Sequence, residues 1–234
     1  MGGLKLKKIR KILFGFLCIF VLNACSLSDS KQREMITETD NYGNEVVEVD
    51  INDLSESQLE ELKEDGVLLA DSFIRHGLNP HYFEDNKDLN MLNDRNIVFY
   101  YHEYTPNHPY YDYFKDARNK EGIYVFDKEK VDKFRFQLLG LTNDYNWGDG
   151  TSYNEENNTF ETTMEFGMDT YYDSYNFEYV GLNNNLLTYE FNLIDVDYYI
   201  GSKDDLGKYN MYYRVMKYLD NDEVFLRYVD IAEK

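Results

Sequence analysis

The pattern of apolar and polar positions divides this chain into a helical region and a strand-rich region. Ser55 begins a Ser-x-x-Gln sequence that matches a helix capping box. After it, apolar residues recur at helical spacing as far as Gly77. From Thr159 onward the period changes to two, with clusters of Asn and Asp between the runs. The pattern therefore predicts a helix of about twenty residues, followed later by an antiparallel sheet.

Two strands and a second helix are predicted between these regions. Ile97–Tyr104 and Ile123–Phe126 are rich in β-branched and aromatic residues, which favours strands. Asp127 is a predicted N-cap, and an apolar helical face follows it as far as Gly140. The 142–158 segment is rich in Asn, Asp and Gly, and we expect a long loop there.

The strand-rich region alternates apolar and polar residues and predicts the strands Thr159–Phe166, Asn176–Leu182, Leu186–Asp195, Lys208–Leu219 and Glu223–Ile231. Hairpin turns are expected at 183–185 and 220–222, because Asn and Asp tolerate left-handed backbone. A meander of this kind packs one face on the core and exposes the other. We therefore predict an α+β fold, with a long N-terminal helix and a shorter helix packed on a curled antiparallel β-meander.

The N-terminus follows a different pattern. Five Lys and Arg and no acid lie within residues 1–11, and an unbroken apolar run covers Ile12–Leu22. Eleven apolar residues are fewer than the roughly 20 that a membrane-spanning helix needs. A basic start, a short apolar run and a small residue are typical of a secretory signal peptide. We therefore predict that residues 1–24 are a signal peptide, cleaved between Ala24 and Cys25.

The cleavage site resembles a more specific motif, the lipobox of bacterial lipoproteins, through Leu22, Ala24 and Cys25. Asn23 departs from the small residue that is commoner at that position. The resemblance implies that Cys25 receives a diacylglycerol, becomes the new N-terminus and attaches the protein to the lipid bilayer. Two acyl chains suffice for this, since each buried CH₂ contributes about 0.8 kcal/mol. The alternative is a signal peptide cut nearby, with Cys25 an ordinary residue.

Charge and cysteine usage exclude several partners and chemistries. Removal of residues 1–24 takes away five basic residues and no acid, which changes the net charge from −20 to −25. Such a charge repels nucleic acid and anionic headgroups, so we expect no nucleic-acid partner. Cys18 lies in the signal peptide, and Cys25 is the predicted lipidation site. The mature domain is therefore expected to lack disulfides, thiolate metal sites and cysteine nucleophiles.

Composition also suggests how the mature chain is organised. Residues 25–52 are polar and acidic, and we interpret them as the lipidated Cys25 and a solvated tether, whose Val-rich end could pair as an edge strand. Residues 53–234 are predicted to form a single extracytoplasmic domain. The resulting location is the outer face of the cell membrane, lipid-anchored.

The order of long helix, strand, short helix and meander resembles the cystatin-like roll of the nuclear-transport-factor superfamily. It is also similar to uncharacterised lipoproteins of Gram-positive bacteria, in which a segment like Ile123–Phe134 leads into a terminal meander. The resemblance spans residues 54–234. It implies a fold and no particular activity, because such rolls host both enzymes and binding modules.

Candidate metal ligands are few. The histidines, which we interpret as scattered surface residues without metal-ligand spacing, are His76, His81, His102 and His108. Asp144, Asn146 and Glu155 fall at positions 1, 3 and 12 of a calcium-binding EF-hand loop, but Gly148 and Asp149 occupy positions 5 and 6, where the opposite residue types are needed. We favour a turn-rich loop and predict no metal site.

No motif for a nucleophile elbow, a phosphate-binding loop or a dinucleotide is present, so no catalytic residue and no cofactor is predicted. Clusters of Tyr around 100–104, 110–113 and 171–175 could stack on sugars or bind peptides, although at strand spacing they are more often half-buried sheet residues. The favoured hypothesis is a non-enzymatic binding module for a peptide, glycan or protein partner. The alternative is an extracytoplasmic enzyme that uses a carboxylate or a His inside the roll.

Overall fold

The structure, a computed structural model, describes residues 35–75, 89, 92–95, 97–98, 108–117, 121–142, 144–163, 170–197 and 200–234. Its helices are α1 (Glu56–Arg75), α2 (Tyr111–Phe114) and α3 (Lys128–Leu139). Its strands are β1 (Thr37–Thr39), β2 (Glu45–Glu48), β3 (Ile123–Asp127), β4 (Thr151–Asn154), β5 (Thr159–Thr163), β6 (Thr170–Asn183), β7 (Leu186–Asp197), β8 (Lys203–Tyr218) and β9 (Val224–Glu233).

Both predicted helices form, and each begins at its predicted cap. The Ser55 amide donates to Gln58 Oε1, and the Gln58 amide donates to Ser55 Oγ, which are the reciprocal bonds of a capping box. At the start of α3 the Asp127 carboxylate accepts from the Lys130 amide. Gly140 ends that helix with a φ of +71°, a conformation that favours glycine. Local sequence therefore determines where both helices start.

The main sheet is antiparallel, with strand order β1-β2-β8-β7-β6. β9 pairs along the opposite edge of β8 from β7, since residues 209–214 of β8 face both strands. β2 continues the β7 side beyond Arg214 and pairs with the last residues of β8. The predicted turn at 183–185 is confirmed, with Asn184 and Asn185 at positive φ. The α+β class is confirmed, whereas the sheet is not strongly curled, in contrast to the expected curled meander.

A small second sheet departs from the predictions. It has the order β3-β5-β4, so the Thr159 strand pairs with β3 and β4 instead of joining the meander. β4 lies inside the segment expected to be a long loop, which in fact contains a hairpin whose Asn158 has positive φ. The prediction of a strand over Ile97–Tyr104 is wrong at its start, because Ile97 and Val98 are helical. The rest of that segment, 99–104, lies outside the described residues.

The interpretation of residues 25–52 as a tether needs correction from Thr37 onward. β1 and β2 belong to the main sheet, Val46 is fully buried, and Ile51 is the buried residue of a 3-10 turn. The pairing suggested for the Val-rich end is confirmed. Val46 and Glu48 alternate along β2 and give it a buried face, so this part of the chain is a strand of the sheet and not a tether. Residues from Ile36 to the C-terminus form one compact unit.

The core lies between α1 and α3 on one side and the inner face of the main sheet. Leu187, Tyr189, Phe191 and Leu193 alternate along β7, and all four are fully buried, as the pattern predicts. Each such burial stabilises the fold by about 1.5–3 kcal/mol. α1 crosses the sheet closely at Gly66, where any Cβ would overlap the Tyr189 side chain. Within the described residues, no helix is both long and apolar enough to cross a membrane.

Candidate functional site

A cleft of about 260 Å³ opens where three connecting segments of the fold meet. These segments are the β1–β2 turn, the start of α3 and the β8–β9 turn. Strand register brings them together, because Val46 of β2 pairs with Tyr218 at the end of β8. The Leu219 amide also donates to the Glu45 carbonyl, which places the two turns side by side. We call this opening the acidic cleft, for the charges described next.

The β1–β2 turn contributes Asp40, Tyr42 and Asn44. The Asp40 carboxylate organises the turn, accepting from the Tyr42 amide at 2.8 Å, the Asn44 amide at 2.9 Å and Asn44 Nδ2 at 2.9 Å. Partial burial alone would raise the pKa of Asp40, but hydrogen bonds from Asn44 and Tyr42 outweigh it and lower the pKa. Asp40 therefore carries its negative charge at neutral pH.

The start of α3 contributes Glu129 and Lys133, which lie one helical turn apart. Lys133 Nζ donates to Glu223 Oε2 at 2.8 Å and lies 5.8 Å and 5.9 Å from the ring centres of Tyr113 and Tyr218. Burial lowers the pKa of Lys133, but the hydrogen bonds with Glu223 and Tyr113 outweigh it, so the pKa is raised. The cleft thus already contains one cation, supplied by the chain itself.

The β8–β9 turn contributes Asp220, Asn221 and Glu223. The Glu223 amide donates to Asn221 Oδ1 at 2.9 Å, which holds the turn. Glu223 divides its carboxylate between two residues of α3, accepting from Lys133 through one oxygen and from Gln137 Nε2 at 2.9 Å through the other. Asp220 and Asn221 are exposed. Glu223 is therefore a structural acid, whereas Asp220 faces solvent.

Tyr218 forms the buried wall of the acidic cleft. Its ring is only 3% exposed and packs against Phe136 and Phe225 in a small apolar cluster. Its enclosed hydroxyl interacts with the Asp40 carboxylate, outside the geometry of a normal hydrogen bond. Burial, followed by the charges of Asp40 and Glu223, raises the pKa of Tyr218.

The charges of the acidic cleft do not balance. Four carboxylates (Asp40, Glu129, Asp220 and Glu223) face one ammonium, which is already bonded to Glu223. Within the part of the chain that the structure describes, no basic side chain forms an ion pair with Glu129 or Asp220. An excess of negative charge in a partly enclosed opening attracts cations, because the electric field of the carboxylates is focused inside a cleft.

A smaller cavity of about 70 Å³ adjoins the acidic cleft and shares Glu223 with it. Asp65 of α1 lines this cavity together with Tyr110, Tyr113 and apolar residues of β9. Burial, with smaller contributions from the charges of Glu61 and Glu64, raises the pKa of Asp65 to about 6. A carboxyl group with a shifted pKa in a cavity is a recognised mark of functional sites.

A buried polar network on the same helix holds the acidic cleft in place. Asp132 accepts from Tyr42 Oη at 2.7 Å, from Lys128 Nζ at 2.5 Å and from the Tyr145 hydroxyl. Burial, with the bond to Asp132, raises the pKa of Tyr145 to about 12. Tyr42 therefore has a fixed position: its hydroxyl is bonded to a helix, while its side chain remains half-exposed in the cleft lining.

One turn further along α3, Arg135 forms a second part of this network. Arg135 Nε donates to Asp94 Oδ1 at 2.5 Å, and its other nitrogens donate to the carbonyls of Thr142 and Asp144. Asp94 in turn accepts from the Asn146 amide at 2.6 Å. These bonds fasten the 142–147 segment to α3, and no charge among them is left without a partner.

The structure places several residues considered in the sequence analysis. His108 is buried, not at the surface, because it begins the turn that leads into α2, where its Nδ1 accepts from the Tyr110 amide at 3.0 Å. Of the residues compared with an EF-hand loop, Asp144 is held by its carbonyl, and Glu155 lies in the separate β4–β5 turn. The residues Ala24, Cys25, His76, His81 and His102 lie outside the described residues.

Comparisons of this chain with protein-family models, curated proteins and solved structures found no match. The candidate site therefore depends on its own geometry. The sequence pattern does not mark Asp40, Tyr42 or Asp220 as site residues, because the first two lie in a polar segment that is typical of a tether and the third lies in a predicted hairpin turn. A signal was present: the Val-rich alternation after Asn44 predicted a strand, and a strand there brings its preceding turn into the sheet.

Proposed function

We propose that this protein is a lipid-anchored extracytoplasmic binding module whose acidic cleft binds a positively charged group of a peptide or protein partner. The observation that carries the proposal is the charge surplus of the acidic cleft, in which Glu129 and Asp220 have no basic partner among the described residues. Among the described residues, the fully buried charged side chains are paired, so unpaired ones at a preformed opening favour an external cation.

The proposed anchor keeps its basis in the sequence, namely the basic start, the short apolar run and Leu22, Ala24 and Cys25. Ile36, where the compact unit begins, lies eleven positions after Cys25. A chain of that length reaches at most about 40 Å when extended. The module would therefore act within that distance of the bilayer, on partners at the outer face of the membrane. The finer assignment to a cystatin-like roll remains a prediction from element order.

An enzyme is the second candidate, and Asp65 is the observation that favours it. Its pKa of about 6 would suit a general acid or base near neutral pH. Its cavity of about 70 Å³ is, however, far below the roughly 300 Å³ at which ligand pockets begin. No group beside Asp65 in that cavity forms a nucleophile–base pair with it, so binding is the better supported function.

A binding experiment tests the role of the acidic cleft. The full-length chain in detergent is titrated with a fluorescent peptide that contains one Lys and one Arg, and with matched peptides that contain Gln or Glu at those positions. We expect binding of the cationic peptide only, and a loss of roughly tenfold or more in Asp220→Lys, because the substitution reverses a charge in the lining. Glu156→Lys, on the exposed β4–β5 turn, is the matched control.

Two outcomes would contradict the proposal. Equal weakening in Asp220→Lys and Glu156→Lys would mean that net charge alone attracts the peptide. Equal binding of the cationic and Gln peptides would mean that charge is not recognised.

The anchor is tested separately in cells. Cys25→Ala should abolish labelling by a fatty-acid analogue and block processing after Ala24, because the thiol that accepts the lipid is gone. Cys18→Ala is the matched control, since it changes the other cysteine and keeps the proposed cleavage site. Normal labelling of Cys25→Ala would overturn the anchor while leaving the cleft experiment unaffected.

A further inference from the structure

Strand β6 lies at an edge of the main sheet, where the strand order ends β8-β7-β6. It pairs with β7 along one side, and in the part of the chain that the structure describes no strand pairs with its other side. Among residues 175–183, no backbone group is bonded to a described segment outside the β6–β7 hairpin. Alternate amides and carbonyls of an edge strand point away from its neighbour, so this side of β6 offers donors and acceptors to a further strand. We call it the β6 edge.

Two irregularities limit the length of strand that can pair with the β6 edge. The register between β6 and β7 shifts after Tyr175 and again after Tyr179, close to Asn176 and Gly181, which have positive φ. Such bulges bend an edge and interrupt its ladder. The run Thr170–Tyr175 pairs with β7 without any shift. The β6 edge therefore suits a short extended segment of about six residues rather than long continuous pairing.

The charge of the β6 edge indicates the chemistry of that segment. Strands β6 and β7 contain no Lys or Arg, and their acids are Asp173, Glu178, Glu190, Asp195 and Asp197. Glu190 is bonded to two lysines, whereas Glu178 is exposed and forms no ion pair with a described residue. A strand added at this edge would lie beside these carboxylates, so basic side chains on it are attracted and acidic ones are repelled.

Helix α1 carries the same charge along the other face of the β6 edge. Lys63 Nζ lies 4.9 Å from the ring centre of Tyr179, which places this side of the helix beside β6. Glu60 accepts from Lys63 Nζ at 2.6 Å, and Glu56, one turn before Glu60, is exposed and has no ion pair with a described residue. Because successive residues of a strand face opposite ways, Glu178 and Tyr179 lie on opposite faces. Carboxylates therefore flank the edge on both faces of the sheet.

We propose that the β6 edge is a docking site for an extended basic segment of a partner protein, which adds to the main sheet as a further strand. Backbone hydrogen bonds to β6 supply affinity, and the flanking carboxylates select Lys or Arg on the segment. A second copy of this chain is less suitable, because its β6 would bring the same acids and no base. The proposal does not depend on the acidic cleft, which is lined by the β1–β2 turn, α3 and the β8–β9 turn.

The test follows hydrogen exchange of individual backbone amides by NMR, with the full-length chain in detergent. The probe is a capped peptide of sequence Lys-Val-Lys-Val-Lys-Val, and the matched peptide has Glu in place of Lys. We expect the Lys peptide to slow exchange about tenfold or more at alternate residues of Thr170–Tyr175, because those amides gain a partner. The Glu peptide should leave exchange unchanged. Since the amides of β6 report this edge, a peptide bound in the acidic cleft does not produce the signal.

Glu178→Lys is the matched protein variant, because it reverses an exposed charge on β6 that has no ion pair with a described residue. We expect it to weaken binding of the Lys peptide by about three- to tenfold. A thermal melt verifies that the variant is folded. Glu156→Lys, on the exposed β4–β5 turn, is the control and should protect the β6 amides as the wild type does. Equal weakening in the two variants would overturn the proposal, since net charge alone would then attract the peptide.

Three further results would also overturn the proposal. Amides of β6 that stay unprotected with the Lys peptide at millimolar concentration would show that no strand is added. Equal protection by the Lys and Glu peptides would show that charge does not select the segment. Protection in the free protein that grows with protein concentration would assign the β6 edge to a second copy of this chain. These results leave the Asp220→Lys test of the acidic cleft unaffected, so the two proposals fail separately.

Discussion

Helix α3 carries charged side chains of two kinds: those on its buried side are bonded to partners within the protein, and the one at its exposed start is not. On its buried side, Asp132 accepts three hydrogen bonds, and Arg135 is bonded to Asp94 and to two carbonyls. At its exposed start, Glu129 faces a cleft in which acids outnumber bases four to one. The comparison shows two roles for a carboxylate on this helix. A carboxylate that is bonded to other side chains of the protein is structural, whereas one that has no such partner among the described residues is available for a ligand.

The largest effect is expected in the buried set. Arg135→Met should lower the free energy of unfolding by about 3–5 kcal/mol, because it leaves the Asp94 carboxylate buried without its cation. Denaturant unfolding measures this. Lys217→Met, which breaks an ion pair with the exposed Asp222, is the matched control and should cost far less, because water screens that pair. Similar losses of unfolding free energy in the two variants would contradict the distinction between buried and exposed ion pairs.

Two tyrosines of the same cleft sharpen the comparison. Tyr42→Phe should cost about 1.5–3 kcal/mol, because it removes a hydrogen bond to the buried Asp132 carboxylate. Tyr218→Phe should cost less than Tyr42→Phe, since the Tyr218 hydroxyl interacts with Asp40 outside the geometry of a normal hydrogen bond. Denaturation midpoints of the two variants, measured side by side, check this. A larger loss in Tyr218→Phe than in Tyr42→Phe would show that the Tyr218 hydroxyl is bonded in the folded protein.

Asp65 is a partly buried acid whose raised pKa makes the stability of the fold depend on pH. Its folded-state pKa of about 6 lies above its usual value of 3.8, so between these values the folded protein binds more protons than the unfolded chain. The contribution of Asp65 to stability is therefore present below pH 4 and is lost as the pH rises through 6. Melting temperatures of wild type and Asp65→Asn at pH 4.5 and 7.5 measure this difference. We expect wild type to lose stability relative to the variant as pH rises; a constant difference would contradict the raised pKa.

The smallest effect concerns the internal cation. Lys133→Gln removes the one positive charge of the cleft lining, so a cationic peptide should bind about two- to fivefold more tightly. Peptide titration measures the affinity. Lys115→Gln removes a similar ammonium from the exposed end of α2 and is the control. Weaker binding to Lys133→Gln would mean that the cleft prefers an anionic or neutral partner.

Local sequence predicted most of the secondary structure. The capping box at Ser55, the N-cap at Asp127 and the Asn turn at 183–185 are all present, because each depends on hydrogen bonds or backbone angles within a few residues. The predictions fail where distant residues decide. Ile97 and Val98 have high strand propensity but are helical, and Thr159 begins a strand that pairs with β3 in a second sheet.

The candidate site could not be predicted for the same reason. Asp40 and Glu223 are separated by more than 180 positions, and they line one cleft only because β2 pairs with the end of β8. Nothing in the composition of either turn distinguishes it from an ordinary acidic loop. The approach of the Tyr218 hydroxyl to Asp40 is likewise a property of the packed structure, in which Phe136 and Phe225 fix the ring.

By itself, the sequence determined the two helices, most of the strands, the α+β class and the surplus of acid over base, since these follow from short-range periodicity and from counting. It also supplies the motif at Cys25 on which the proposed location depends. The tertiary structure alone decided which acids are paired and which face an opening. That difference depends on strand register and burial, and these are set by the free energy of the whole core rather than by any one segment.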